Sequence, residues 1–288
     1  MKSKFNIPPI PAILLAIVSV QCGAAIAKGL FPAIGPAATA SLRIGLSALI
    51  LLIAFRPNVT KLSKKQWKYV VLYGLSLGAM NMVFYLAIAR IPIGLGVTLE
   101  FIGPLVVAIF GSKKIIDFFW VMLAVAGIAL ITPWTNNGLD PIGILFALMA
   151  AACWGAYIVL GGRISKIMDG DQAVSIGMVV ATLLIVPFGI ANGGLGQLNP
   201  HLFALGFALA LLSSAIPFTL EMGALKQLPA RTFSILMSLE PAAAALSGLI
   251  FLHEYLSFYE WLAVALVVIA SGGATLTAKK QDHAAVEC

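Results

Sequence analysis

Apolar runs of about 20 residues, the length that crosses the hydrocarbon of a bilayer as an α-helix, follow one another along nearly all of this 288-residue chain. They are read at roughly 10–27, 36–55, 68–89, 92–112, 115–133, 141–161, 173–192, 201–223, 230–252 and 256–278. The stretches between them are too short to build a water-soluble core. Hydrophobic residues at 61% and charged residues at 10% leave too little polar surface for a soluble domain. The predicted fold is therefore an all-α polytopic membrane protein with ten transmembrane helices.

The runs repeat. Pro92 and Pro104 are twelve apart, as are Pro229 and Pro241, and the pairs are offset by 137 residues (229 − 92). At that offset Ala87 matches Ala224, Leu99 matches Leu236, Ala108 matches Ala245 and Gly111 matches Gly248. Five spans per copy is an odd number, so the second copy is inverted, the arrangement of many secondary transporters with a site between the halves. The expected organisation is residues 1–137 as the first five-helix repeat, 138–280 as the second, inverted one, and 281–288 as a cytoplasmic tail. No segment has the composition of a linker.

A net charge of +7 would suggest nucleic acid in a soluble protein, but here it orients the chain. With the N-terminus inside, fifteen lysines and arginines fall on the cytoplasmic side, against Lys28 and Arg90 outside and Arg43 within a span. This bias places both termini in the cytoplasm. Trp67, Trp120, Trp134 and Trp261 lie near span ends and read as interface anchors, while Trp154 does not. Cys22, Cys153 and Cys288 make no disulfide framework.

A charged side chain within hydrocarbon is costly, by at least about 2.5–3.5 kcal/mol, and marks a substrate path, a proton relay or a buried pair. Arg43 and Glu100 each fall roughly 10–12 Å from the outer face at 1.5 Å per residue, and Glu240 falls near the midplane. The functional reading gives Arg43 a substrate carboxylate, one glutamate a substrate ammonium and the other a coupling proton. The alternative is an Arg43–Glu100 bridge that only holds helices together. Glu254 and Glu260, flanking the start of the last span, are expected to face solvent or act at its helix N-terminus. Asn81 and Tyr85, four apart on one helix face, either line the path or bond between helices; Gln21, Ser76, Thr98 and Ser238 are further polar groups within spans. Gly74-x-x-x-Gly78 and the run from Ala242 to Gly248 read as close-packing faces. Pro104 and Pro241 fall inside spans near glutamates and are candidate hinges, since proline removes a helix hydrogen bond.

Catalytic signatures are missing. His253-Glu254-Tyr255-Leu256-Ser257 has serine where a zinc-protease motif needs its second histidine, and no phosphate-binding glycine loop is present. No metal, cofactor or nucleic-acid partner is predicted, and lipid is the expected surroundings.

The chain resembles the ten-helix EamA-type branch of the drug/metabolite transporter superfamily over nearly its whole length. The most specific stretches are Gln21 to Pro32 (QCGAAIAKGLFP), Tyr73 to Tyr85, Glu100-Phe101-x-Gly103-Pro104, Pro217 to Met222, and Arg231 to Leu256. Within that branch the similarity is to bacterial exporters of threonine and homoserine. It implies an inner-membrane efflux carrier that exchanges a proton for a small neutral amino acid. The resemblance supplies no set of substrate ligands. The repeats differ where they leave the membrane: the ninth span ends in the family's Glu254-x-Leu256 element, the fourth in Gly111-Ser112-Lys113-Lys114. Export of another metabolite or a drug, a passive channel, and a non-transporting membrane enzyme or scaffold are the competing readings.

Overall fold

Each described element follows from where prolines, glycines and capping side chains interrupt the apolar runs. A computed structural model of the chain describes residues 8–110, 115–131, 140–164, 167–217, 220, 224 and 236–277. Glu221, Pro229, Arg231 and the 281–288 segment lie outside the described residues. No strand occurs among those described.

Helix α1 (Pro9–Phe55) is about 70 Å long at 1.5 Å per residue, more than twice the thickness of a bilayer core. It is divided at Gly35, whose φ of 76° and ψ of 163° belong to a region open essentially to glycine alone. Pro36 follows and disfavours helical backbone at the residue before it. The first two apolar runs are thus two segments meeting at a kink. Helix α2 (Lys64–Ile88) starts at a capping box in which Ser63 and Gln66 exchange hydrogen bonds.

The fourth run, expected as one helix, is broken at Phe101 into α3 (Ile93–Glu100) and α4 (Ile102–Phe110). Pro104 has no N–H to offer the Glu100 carbonyl, which weakens the ladder at that junction. Helices α5 (Ile115–Ile131), α6 (Pro141–Ile164) and α7 (Gly170–Ala191) follow. Helix α8 (Pro200–Ala210) opens on an Asn199 cap, whose side chain accepts from the Leu202 N–H at 2.8 Å, and runs into a π-helical turn, Leu211–Ala215. The helix expected to run through Glu240 is interrupted just before it: Leu236 and Met237 are helical, Ser238 and Leu239 form a turn, and the chain restarts as α9 (Glu240–Leu252), with α10 (Phe258–Thr277) closing the described chain. Pro241 therefore sits in a first helical turn, where a missing N–H costs nothing, rather than kinking a helix interior. Pro104 likewise occupies the first turn of α4.

Helix α1 packs on α7, α8 and α9, α2 on α6 and α7, α3 on α9, and α5 on α10. Small residues set these contacts. A Cβ added to Gly74 would lie 2.6 Å from the Gly177 carbonyl oxygen and from Val180 Cβ, and one added to Gly78 would lie 3.0 Å from Ala181 Cα. The Gly74-x-x-x-Gly78 face is thus the seam between α2 and α7. At Gly94 a Cβ would come 2.6 Å from Ala245 Cα, so α3 and α9 touch nearly backbone to backbone. Large apolar side chains point outward: Ile53, Leu183, Ile250 and Phe258 are each more than 60% exposed. An alanine- and glycine-rich interior beneath a leucine-, isoleucine- and phenylalanine-rich surface is what lipid as solvent selects. Four described helices are long and apolar enough to cross a bilayer, and five shorter apolar ones accompany them. The chain is a polytopic helical membrane protein.

At one end of the molecule α1 and the segment after α9 converge on the start of α3. Lys28 forms an ion pair with Glu254 and donates to the Ile91 carbonyl at 2.9 Å, while Glu254 accepts from the Ile93 N–H at 2.8 Å. Glu254 is therefore not the solvent-facing residue expected: α9 ends in a left-handed His253, which turns the next side chain back over the helix toward α3. Glu260 does act at a helix start, since it and Ser257 exchange hydrogen bonds there. The other ion pair among the described residues, Arg90–Asp140 at 2.7 Å, is more exposed; the Arg90 hydrogen bond and the Ile142 N–H hold the Asp140 carboxyl below its usual range.

Candidate functional site

The π-helical turn creates an unusual acceptor surface. In a π turn the bonding register slips by one residue, and side chains of α1 meet the carbonyls this turn presents. Ser19 Oγ donates to the Leu212 carbonyl at 2.7 Å, Arg43 Nη2 to the Ser213 carbonyl at 3.3 Å, and Ser47 Oγ to Ser214 Oγ at 2.9 Å. Arg43 also donates from Nη1 to Tyr85 Oη at 3.3 Å, with its guanidinium carbon 5.6 Å from the centre of the tyrosine ring. The guanidinium is thus held from two sides, by α2 and by the π turn.

Arg43, Glu100 and Glu240 line one cavity of about 140 Å³. Gln21 of α1, Asn81 of α2 and Ser213 supply its neutral polar groups, and Met80, Phe84, Val97 and Trp154 are among its apolar walls. Glu100 and Glu240 reach it through the Gly94–Ala245 contact, because α3 ends at one and α9 begins at the other. Glu240, in the first turn of α9, stands where the helix dipole favours negative charge. Glu100 lies within electrostatic range of both Glu240 and Arg43, yet the Arg43–Glu100 bridge considered from the sequence is not formed. Tyr85 and Ser213 hold the guanidinium, so arginine and glutamate face the same space without closing on each other. Arg43 Nε and Gln21 Oε1 are buried with no hydrogen-bond partner, a cost of about 1–3 kcal/mol per group in a folded protein. Native interiors carry few such groups, and each calls for an explanation such as a missing water or ion.

Of the residues singled out from the sequence, Arg43, Glu100, Glu240 and Asn81 line the cavity. Tyr85 stands behind Arg43 and orients it. Asn81 has one of its two N–H donors engaged, from Nδ2 to the Leu77 carbonyl at 2.9 Å. Thr98 bonds the Gly94 carbonyl of its own helix at 2.7 Å. Pro104 and Pro241 sit beside the glutamates but are not among the lining residues. Sequence reasoning passed over Ser213, whose role depends on a backbone turn that no residue type announces, and Trp154, whose signal was its place away from both membrane interfaces. A second cavity, of about 360 Å³ around Gly35, Leu86, Asn192 and Gln197, has no ionisable group in its lining. No group of three or more metal-ligating side chains occurs among the described residues.

The geometry can be set beside known proteins. A model of the family described as "EamA-like transporter family" matches residues 141–276. The chain is 44% identical to the "Threonine/homoserine exporter RhtA" of Escherichia coli (strain K12), over 95% of this chain and 93% of that protein. It is 43% identical to the protein of the same name from Salmonella typhimurium (strain SL1344), over 96% and 94%. A solved crystal structure at 17% identity superposes with a TM-score of 0.62, over 93% of this chain and 97% of its own, a likeness of fold alone.

Proposed function

Since the chain belongs to the EamA-like transporter family, we propose that it exports small neutral amino acids, threonine and homoserine among them, in exchange for protons. The observation that carries this reading is one guanidinium and two carboxylates around a single small cavity. An α-amino acid is a zwitterion. Its carboxylate pairs with Arg43, whose guanidinium fork suits that group, and its ammonium pairs with the carboxylates. With both glutamates ionised the site carries one net negative charge beyond what Arg43 balances. An ammonium and a proton compete for that charge, and such competition makes an exchanger when the site opens to one side at a time. Like charges in one buried site also resist being ionised together, so the pair favours holding one positive partner, either proton or ammonium.

A cavity of about 140 Å³ lies well below the roughly 300–1,000 Å³ of drug-sized pockets, which favours a small solute over a drug. Two inverted five-helix units, 1–137 and 138–280, are the architecture that suits alternating access around this site. The inside-heavy distribution of lysine and arginine supports cytoplasmic termini, with 281–288 as a tail on that face. Pro104 and Pro241, each in the first turn of a helix beside a glutamate, are the hinge candidates. The known relatives are transporters, not enzymes.

The test is counterflow of labelled threonine in proteoliposomes with an imposed pH gradient. Saturable counterflow that homoserine blocks and a cationic dye does not, together with net threonine flux that depends on the pH gradient, is the expected result. A dye that competes moves the reading to drug export, and flux that never saturates moves it to a channel.

A further inference from the structure

We propose that Gln21 reads the side-chain hydroxyl of the cargo, so that the carrier selects hydroxylated neutral amino acids over analogues of the same shape that lack the hydroxyl. This rests on the amino-acid export reading above and names the specificity element of that same cavity.

Gln21 is only 3% exposed, lines the cavity with Arg43, Glu100 and Glu240, and holds Oε1 away from water without a hydrogen-bond partner. The two charged ends of an amino acid are already matched by Arg43 and the glutamates. A neutral carboxamide, with two N–H donors and a carbonyl acceptor, adds little to either end. It fits a neutral group that both donates and accepts, which is what a hydroxyl does. Threonine and homoserine, in the names of the relatives, share that group and differ in how far it stands from the α-carbon.

The position of Gln21 is set from both sides. Its backbone carbonyl accepts from Ser247 Oγ at 3.1 Å, on the helix that begins with Glu240. Two residues further on, Gly23 has no Cβ, and one built there would collide with the Ser213 side chain, on the residue whose carbonyl holds Arg43. The amide therefore keeps a fixed relation to the ammonium end and to the carboxylate end of the site. Asn81, the other carboxamide in the lining, has one of its two N–H donors committed to Leu77 and so offers less to a hydroxyl.

A site built to bond a hydroxyl discriminates strongly against an analogue without one, by up to about 10⁴–10⁵-fold, whereas one methylene of difference in an apolar pocket gives only about 10–200-fold. Valine is threonine with a methyl in place of the hydroxyl, and norvaline stands in the same relation to homoserine.

The experiment uses the full chain in liposomes, with labelled threonine counterflow and valine, homoserine and norvaline as competitors. In the wild type, homoserine is expected to compete while valine and norvaline compete at least about 100-fold more weakly. In Gln21→Leu, and in the less shape-disturbing Gln21→Met if the first fails to reconstitute, threonine and valine should come within about tenfold of each other. A transporting variant that keeps the wild-type threonine-to-valine ratio overturns the inference. Wild-type protein that accepts valine as readily as threonine overturns it while leaving amino-acid export standing. Wild-type protein without threonine counterflow overturns the export reading and this inference together.

Discussion

Glu100 and Glu240 share a cavity with the Arg43 guanidinium, so under the proposed exchange removing one carboxylate removes either the ammonium partner or the proton carrier. Both Glu100→Gln and Glu240→Gln are expected to abolish pH-driven threonine export while leaving membrane abundance near wild type, read by proteoliposome flux beside an immunoblot. Normal proton coupling in either variant would remove that residue from the exchange. The reversal Arg43→Glu with Glu100→Arg should not restore export, because Tyr85 and Ser213, rather than Glu100, hold the guanidinium. At the surface, Asp140 titrates below its usual range because of Arg90. A depressed carboxyl pKa stabilises the fold above the unfolded value of about 3.9, and that contribution fades as pH falls through the lower folded value. Asp140→Asn should therefore melt slightly below wild type near neutrality and match it in strong acid, as thermal unfolding in detergent would show. Arg43, Glu100 and Glu240 were legible in the sequence because a charge inside an apolar run is too costly to be incidental. Gln21 was visible as a polar group but carried no such cost, and Glu254 lay outside the runs, so nothing in its neighbours foretold that Lys28 and the Ile93 N–H would bind it.

Helices α2 and α7 meet where two glycines allow it, and α3 and α9 meet at Gly94 and Ala245. Gly74→Val is expected to destabilise the protein by about 1–3 kcal/mol through overpacking, read as a lower melting temperature in detergent. Pro241→Ala should leave abundance and melting nearly unchanged but slow export, since it restores an N–H at a helix start beside Glu240; an unchanged rate would argue against a hinge there. The existence of these helices was plain from hydropathy, and their seams from small residues four apart. Their interruptions were less so. Gly35 lies between two runs and was already a boundary, but Phe101 bears no mark of a break, which comes from a proline three residues later. The π turn at Leu211–Ala215 is set by partners on α1, information that local sequence does not hold.

The whole molecule is small-residue inside and bulky outside, and one place where its interior is left unfilled is around the charged groups. What is not filled there is about 140 Å³, a handful of waters at about 30 Å³ each. Under the proposed exchange the carrier leaves with an amino acid and returns with a proton, and it must refill that volume on the way back, because a proton occupies none of it. Each cycle then moves a few waters inward as cargo moves outward, which couples turnover to water activity. A solute too large to enter the cavity, such as sucrose, should slow the return step by withholding those waters. Counterflow, which skips the empty return, should be spared, and comparing the two at rising osmolality would weigh the water this exporter carries home.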